Sequence, residues 1–197
     1  MRKGEMTRSA ILDEAVQIAS RVGFAGLTIG QLADEVEMSK SGLFAHFRSK
    51  EQLQLQTMER AAQKFVDIVV RPTLAAPRGE RRVRALLDAW FDWTRESLDG
   101  GCIFVAAAAE LDDQEGPLRE ALVRNELDWL ELIATVAGTA VAERDFREDL
   151  DTRQFAFEVH GVMLGYNHAS RLLRDERALE RAGRAFESLL EAARRKA

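Results

Sequence analysis

The sequence predicts an all-α protein in which a small three-helix head precedes a larger helical body. Three observations predict this fold. Apolar residues recur at steps of three and four along almost every segment. Capping residues and glycines separate these segments. No segment shows the alternation of apolar and polar residues that is typical of a β-strand. We count about nine helices in 197 residues. The first three are short and the later ones long, which predicts residues 1–50 as the head and 51–197 as the body.

The first predicted helix covers residues 7–22. Thr7 is its candidate N-cap, and Gly23 is suited to end it. Its predicted inward stripe consists of Ile11, Ala15, Ile18 and Val22.

Two shorter helices follow. Thr28 begins a capping-box pattern that opens a helix over about 28–36, and Ser39 is the N-cap of another over about 39–46. Both are about two turns long, and a tight turn separates them.

The body begins with a long helix that Ser49 caps and that should end before Pro72, since the residue before a proline is disfavoured in a helix. Residues 71–79 are predicted to form a loop. The remaining helices are predicted over about 80–98, 102–109, 117–144, 152–173 and 177–195. The predicted inward stripe of the last helix consists of Leu179, Ala182, Phe186, Leu189 and Ala193.

Composition limits the class of protein. The longest apolar run, Cys102–Ala109, has far fewer than the roughly 18 residues of a membrane span. The single Cys excludes an intramolecular disulfide and a multi-cysteine zinc site. The N-terminus lacks the apolar region of a signal peptide. We therefore expect a soluble, cytoplasmic protein without metal or cofactor.

The net charge of −5 is unevenly distributed. Lys and Arg slightly outnumber Asp and Glu in the first fifty residues, whereas the acidic residues are in excess in the rest of the chain. An anionic partner should therefore prefer the head, although the difference is small.

The two short helices match the size of a helix-turn-helix. Leu43 and Phe47, four residues apart, would anchor the second helix to the core. Small and polar residues would then face outward, where a DNA groove could be read: Ser39, Lys40, Ser41, Gly42 and Ala45.

Several of these residues suggest particular DNA contacts. Lys40 offers a donor to guanine or to a phosphate. Thr28 sits at a helix N-terminus, which favours a phosphate, and His46 and Lys50 could contact the DNA backbone. Alternatively, the lysines are ordinary solvated residues and His46 merely ends a helix.

One string of the sequence runs from Leu27-Thr28 through Met38-Ser39-Lys40-Ser41-Gly42-Leu43-Phe44-Ala45-His46-Phe47 to Ser49-Lys50-Glu51-Gln52-Leu53. This string closely resembles the DNA-binding domain of the TetR family of bacterial transcriptional regulators. The resemblance covers about residues 7–55. It implies that family members touch DNA at the positions of Thr28, Lys40, Ser41, Gly42, Phe44, His46 and Lys50. With Ser39, these residues form the predicted DNA-binding set.

Two residues depart from the family pattern. Phe44 replaces a Tyr whose hydroxyl commonly bonds a phosphate, which removes a hydrogen bond worth roughly 0.5–1.5 kcal/mol. Glu37 replaces the usual turn Gly and costs roughly 1 kcal/mol if that position needs left-handed backbone. Neither departure removes the expectation of DNA binding.

The resemblance also implies a small-molecule effector bound among the middle helices. Candidate pocket residues are mostly aromatic, which favours a largely apolar cavity. They are Trp90, Phe91, Trp93, Phe104, Trp129, Met163, Tyr166 and Asn167. Any of the aromatic residues could equally be core. Polar candidates that could orient a ligand, or instead belong to an interface, are Glu158, His160, Asn167 and His168.

Relatives imply a homodimer formed through the last two helices, 152–173 and 177–195. Gly161 and Gly165 would let a partner helix approach closely. Cys102 could sense oxidants near a helix N-terminus, or be a buried structural residue.

Three classes of function remain in competition. The first is a dimeric repressor that binds a pseudo-palindromic double-stranded operator and releases it when an effector binds. The second is a helical enzyme, which is disfavoured because the chain has no Glu-x-x-His pair, P-loop or nucleophile elbow. The third is a helical adaptor or ligand carrier without DNA binding, which would not need a Thr-capped helix followed by a helix of small residues and a Lys.

Overall fold

The computed structural model describes residues 8–195, so Thr7, the predicted first cap, lies outside the described residues. Those residues fold into helices, which confirms the all-α prediction. The α-helices are α1 (Arg8–Gly26), α2 (Ile29–Glu35), α3 (Lys40–Phe47), α4 (Lys50–Phe65), α5 (Arg71–Ala75), α6 (Glu80–Asp92), α7 (Ile103–Leu111), α8 (Pro117–Ala142), α9 (Thr152–Asn167) and α10 (Ala178–Ala193).

Three π-helical segments continue α4, α6 and α9: Val66–Val70, Trp93–Ser97 and His168–Leu172. Because the first of them joins α4 to α5 without a break, residues 8–195 form nine separate helical rods, as the sequence predicts. No helix in that range is both long and apolar enough to cross a membrane.

The predicted caps that lie within residues 8–195 are formed. Thr28, Ser39 and Ser49 each accept a hydrogen bond from the backbone N–H three residues later, at 3.1 Å. Asp151 caps α9 in the same way. Each bond satisfies a backbone donor that would otherwise lack a partner at the start of a helix.

The predicted helix end before Pro72 is wrong. The chain passes through the π-helical turn Val66–Val70 and continues into α5. Pro72 is the second residue of α5, directly after the π-helical turn. The loop predicted over 71–79 is therefore limited to the residues between Ala75 and Glu80.

Two predicted inward stripes also need correction. Val22 is 46% exposed, because Gly23 (φ +76°) interrupts α1 and turns the chain away. On α10, Leu190 is fully buried, whereas Leu179 is exposed and Leu189 only half-buried. The buried stripe of α10 therefore has Ala178 in place of Leu179 and Leu190 in place of Leu189, whereas Ala182, Phe186 and Ala193 are buried as predicted.

The chain divides into two compact units, the first formed by Met1–Val66 with Trp93–Asn125. In this unit α1 packs against α4 and α7. Arg60 donates two 2.9 Å hydrogen bonds to Asp13, and Lys64 lies 3.2 Å from the same carboxylate. Burial disfavours the charged form of Asp13, but the bonds from Arg60 and Lys64 outweigh it and hold the pKa of this carboxyl below its usual value.

The second unit consists of Asp67–Asp92 with Glu126–Ala197, and α9 and α10 pack together in it. Arg194 donates two 2.8 Å bonds to Glu80 and one to Glu187, and Arg84 pairs with both carboxylates. These charges fasten α6 to α10. Hydrogen bonds from Arg194 lower the pKa of Glu80 despite its partial burial.

The segment after α6 is tied to α1 within the first unit. Gln17 donates to the carbonyl of Ser97 (2.9 Å) and accepts from the N–H of Asp99 (3.2 Å). Gly100 donates to the hydroxyl of Ser20 (3.1 Å). The backbones approach so closely that a Cβ on Gly100 would stand 1.7 Å from the carbonyl oxygen of Ser20.

We therefore predict that Gly100→Ala destabilises the protein by at least about 2 kcal/mol, since rigid backbone must move to admit the methyl group. Gly138→Ala is the matched control. Nothing lies within 4 Å of a Cβ there, and Ala favours a helix by up to about 1 kcal/mol over Gly. Chemical denaturation of both variants and the wild type measures the effect. Equal stability of Gly100→Ala and the wild type would contradict this packing.

Candidate nucleic-acid interface and effector pocket

The turn between α2 and α3 has left-handed backbone at Glu37, whose φ is +52°. The next N–H, from Met38, donates to the carbonyl of Ala33 at 3.0 Å and closes the turn. The conformational cost expected for a non-glycine residue therefore applies to Glu37.

One side of α3 is anchored and the other is open. Leu43 and Phe47 are 0% and 1% exposed, as the spacing predicts. The predicted DNA-binding residues are exposed, apart from the half-buried Gly42: Thr28, Ser39, Lys40, Ser41, Phe44, His46 and Lys50. A capped helix with one buried side and one open side can be presented to a groove as a rigid element.

Lys40 lies over the beginning of α2. Its Nζ is 3.5 Å from the place where a Cβ on Gly30 would stand, and the Thr28 hydroxyl is 3.9 Å from the same point. The structure therefore brings together two residues that the sequence predicts to contact DNA. This position places the Lys40 ammonium near the predicted phosphate contact at Thr28.

Lys50 has a structural partner that the sequence did not reveal. Its Nζ donates to the carbonyl of Ala25 at 2.6 Å, and Gln54, one turn further along α4, donates to the carbonyl of Phe24. The ammonium of Lys50 is therefore engaged by the turn that follows Gly23 at the C-terminal end of α1, although the residue is exposed.

The same turn is held from its other side by Glu110 of α7. The carboxylate accepts from the N–H of Phe24 (2.8 Å) and from the N–H of Ala25. We call Glu110, Lys50 and Gln54, with the backbone of Phe24 and Ala25, the turn clasp. Sequence reasoning missed Glu110 because 86 residues separate it from Phe24.

The predicted pocket residues are divided between the two units, and aromatic rings pack together in each. In the first unit, Trp93 stacks on Phe104 (centroids 6.3 Å apart), and both rings meet Phe65 edge-on at 5.5 Å. Phe65 was not among the predicted residues. The indole N–H of Trp93 is buried and has no hydrogen-bond acceptor among residues 8–195.

In the second unit, the ring of Tyr166 lies 5.9 Å from Trp90 and 4.8 Å from Phe91. Trp129 and Met163 are buried, and Asn167 is half-buried. Dense packing of this kind stabilises the fold whether or not a ligand also binds there.

A half-buried acid and base face each other between α8 and α9. Nε2 of His160 lies 3.5 Å from the carboxylate of Glu126. Burial raises the pKa of Glu126 and lowers the pKa of His160, so it disfavours the charged form of each. His160 was a predicted polar candidate, and Glu126 was missed. Of the other candidates, Glu158 accepts from Gln154.

An open cavity of about 310 Å³ lies beside α4 in the first unit. Its lining mixes apolar and polar residues, none of them a predicted pocket residue: Met58, Glu59, Ala62, Gln63, Val66, Ala121, Arg124 and Asn125.

α9 presents an exposed apolar stripe. Phe157 is 71% exposed and Leu164 41% exposed. Gly161 lies between these two residues in the sequence, and Gly165 follows Leu164. A Cβ atom built on either glycine would have no atom of the chain within 4 Å. Leu172, in the π-helical turn that follows, is 70% exposed.

The single cysteine is buried, and the described residues contain no candidate metal site. Cys102 is 3% exposed at the start of α7. Across residues 8–195, no group of three or more His, Cys, Asp or Glu side chains could hold a metal ion.

Comparison with known proteins identifies both parts of the chain. Residues 11–57 match the family model "Bacterial regulatory proteins, tetR family", and residues 79–186 match "Tetracyclin repressor-like, C-terminal domain".

Individual relatives agree with these matches. The transcriptional regulator TcmR of Streptomyces glaucescens is 29% identical over 98% of this chain and 85% of its own length. The transcriptional repressor NemR of Escherichia coli is 23% identical over 89% of each chain. The structure of a TetR transcriptional regulator from Chloroflexus aurantiacus has a TM-score of 0.83 and 29% identity, covering 97% of this chain and 96% of the other.

The helix-turn-helix residues thus lie inside one matched segment and most of the body inside the other. The matched families and relatives are regulators of transcription, not enzymes. The chain belongs to the TetR family of bacterial transcriptional regulators.

Proposed function

We propose that the protein is a homodimeric repressor that binds a pseudo-palindromic operator and releases it when a small, largely apolar effector binds. Residues 1–50 are the DNA-binding head, and residues 51–197 hold the effector and form the dimer. It acts on double-stranded DNA in the cytoplasm. The observation that carries this proposal is α3, a capped helix anchored by Leu43 and Phe47 with its other side exposed.

In this proposal the two α3 helices of the dimer enter successive major grooves, about 34–36 Å apart. Lys40 and Thr28 contact phosphates beside the groove, since the ammonium lies near that helix start. The other predicted residues contact the groove or the adjacent backbone: Ser39, Ser41, Gly42, Phe44, His46 and Lys50. Lys50 must exchange or share its bond to the Ala25 carbonyl to reach a phosphate.

The α9 stripe supports a dimer formed through the last two helices, 152–173 and 177–195. Phe157 and Leu164 expose apolar area that burial against a second copy would remove from water. Gly161 and Gly165 leave room for a helix backbone to approach, because a Cβ there would meet nothing of this chain.

The two aromatic clusters support an effector with substantial apolar surface. Such a ligand would partly replace the packing within one of the two units. The candidate residues are Trp93 and Phe104 in the first unit, and Trp90, Phe91, Trp129, Met163, Tyr166 and Asn167 in the second. The buried N–H of Trp93 favours an effector that also carries a hydrogen-bond acceptor.

The turn clasp supports a route from effector to DNA within the first unit. Trp93 and Phe104 flank the connection that precedes α7, and Glu110 of α7 holds the turn that leads into α2. An effector that shifts α7 would therefore move the start of the helix-turn-helix. The effector must bind the two states with different affinities to release DNA.

The first test selects genomic DNA fragments with the purified protein and measures operator affinity for Lys40→Ala. We expect recovery of a pseudo-palindrome. Lys40→Ala should bind it about ten-fold more weakly, and the slope of log affinity against log salt should fall by about two for a dimer, one per phosphate contact.

Arg81→Ala is the matched control, since it removes one charge from an exposed side chain on α6 in the second unit, outside the proposed DNA and dimer interfaces, and should leave affinity unchanged. No enriched fragment at either low or near-physiological salt would overturn the proposed function. An unchanged salt slope in Lys40→Ala would overturn only its phosphate contact.

For the dimer, we expect Phe157→Arg to produce a monomer, because a charge placed in a buried apolar interface is left without a partner. Leu74→Arg is the control, since Leu74 is 46% exposed on α5 and outside the proposed interface. Sedimentation velocity distinguishes the two states. A Phe157→Arg protein that remains a dimer would place the interface elsewhere.

For the coupling route, we expect Glu110→Ala to leave the N–H groups of Phe24 and Ala25 without their acceptor. Their hydrogen exchange should accelerate, and operator affinity should fall several-fold although residue 110 is remote in sequence from the head. Glu115→Ala, an exposed acidic residue, is the control. If both the hydrogen exchange of these N–H groups and the operator affinity were unchanged, the turn clasp would not couple the effector to DNA binding.

A further inference from the structure

The indole N–H of Trp93 is a buried hydrogen-bond donor for which the described part of the chain provides no acceptor. The side chain is 0% exposed, so bulk water does not reach it. A donor left in this state costs free energy, because it has given up a hydrogen bond to water and gained none in the fold. An indole N–H only donates, so whatever satisfies it must supply an acceptor.

This donor belongs to a cluster of three aromatic rings in the first unit. The ring planes of Trp93 and Phe104 are inclined by 18°, with 6.3 Å between the centroids. Phe65 meets both rings edge-on at 5.5 Å. Aromatic groups favour offset stacking on ring faces and edge-to-face contacts. A flat aromatic ligand can therefore make with these rings the same contacts that they make with one another.

The cluster has one half-buried ring. Phe65 is partly exposed, whereas Trp93 and Phe104 are buried. Phe65 also lies next to Val66 and one turn after Ala62, and these two residues line the open cavity of about 310 Å³ beside α4. Of the three rings, Phe65 is therefore the one that a ligand from solvent would meet first.

The donor lies in an irregular part of its helix. Trp93 is the first residue of the π-helical turn that follows α6. Such turns are uncommon inside helices and frequently occur at functional sites. At the other end of this turn, the carbonyl of Ser97 accepts from Gln17 of α1 at 2.9 Å. The turn that carries the indole is therefore bonded to the first helix of the head.

We propose that Trp93 binds a neutral aromatic carbonyl compound: the indole N–H donates to the carbonyl oxygen, and the flat body of the ligand packs against Phe65 and Phe104. This inference rests on the proposed effector binding and deepens it, since it names the unit, the donor and the chemical class of the ligand.

The apolar surroundings of the donor select among the acceptors that a ligand can offer. A carboxylate would be a buried charge without a partner, which is far more costly than a neutral group. Lys64, the cation next to Phe65 in sequence, already pairs with Asp13. A hydroxyl oxygen can accept, but its own hydrogen then becomes a buried donor in need of an acceptor. A carbonyl oxygen only accepts, so it satisfies the N–H and leaves no new donor behind.

The test uses two probes of nearly identical shape, 2-acetylnaphthalene and 2-isopropenylnaphthalene. A CH₂ group replaces the carbonyl oxygen in the second, so only the ketone can accept a hydrogen bond. Isothermal titration calorimetry measures the affinity of the full-length protein for each probe. Replacing Trp93 by benzothienylalanine exchanges the N–H for sulfur and keeps the size of the ring system. The ketone should then bind about ten-fold more weakly, whereas the affinity for the alkene should change little.

The same replacement at Trp90 is the matched control, since Trp90 is also buried, at 2% exposed, but lies in the second unit. It should leave both affinities at the wild-type values. A wild-type protein that does not bind the ketone would overturn the inference. An equal loss of affinity for ketone and alkene in the Trp93 variant would overturn it too, because the indole would then act through packing alone.

A second readout needs no ligand. Benzothienylalanine at residue 93 removes the cost of burying an unsatisfied donor, so the midpoint of chemical denaturation should rise above that of the wild type. The replacement at Trp90 should not raise it. A midpoint for the Trp93 variant no higher than the wild-type value would mean that the N–H is already satisfied in the free protein, which overturns the inference.

Operator binding separates this inference from the proposed function. Saturating 2-acetylnaphthalene should weaken the binding of the wild-type protein to the selected operator, and the Trp93 variant should need about ten-fold more ketone for the same effect. Ketone binding that depends on Trp93 but leaves operator affinity unchanged would support the ligand site and overturn release through it. Failure to bind any DNA, with the preference for the ketone intact, would overturn only the proposed function.

Discussion

The first unit of this protein depends on how the backbone after Gly23, at the C-terminal end of α1, satisfies its polar groups. Gly23 takes a left-handed conformation and ends the regular part of α1, which leaves the N–H and carbonyl groups of Phe24 and Ala25 without a regular helical ladder. A buried or half-buried backbone group without a partner is costly. Glu110 accepts from both N–H groups, and Gln54 and Lys50 donate to the two carbonyls.

The backbone that leads into α2 is therefore held by contacts from several helices of the first unit. The donors come from α4 and the acceptor from α7, while the connection before α7 is bonded to α1 through Gln17 and Ser20. The Phe65, Trp93 and Phe104 rings pack together where these same segments begin or end. Hydrogen bonds between side chains and backbone therefore connect α1, α4 and α7 near the start of α2.

What the sequence could predict was governed by distance along the chain. The caps at Thr28, Ser39 and Ser49 each depend on a partner three residues away, so the pattern alone located them. The left-handed turn at Glu37 was anticipated from the family pattern. The role of Glu110 depends on a partner in a different helix, and nothing in the local sequence marks it. Pro72 misled the prediction because a π-helical turn directly before α5 carries the chain into that helix.

For the candidate site, the sequence predicted which residues are exposed but not which hydrogen bonds they form. Exposure of the α3 residues followed from helical period, because Leu43 and Phe47 fix which side faces inward. Periodicity could not show that Lys50 bonds to Ala25, since an exposed lysine near a helix start fits either role. The two roles compete for one ammonium group, and breaking the bond to Ala25 costs part of any phosphate contact that Lys50 gains. Under the proposed phosphate contact of Lys50, affinity for DNA is linked to the stability of the segment at Ala25, which lies outside the helix-turn-helix itself.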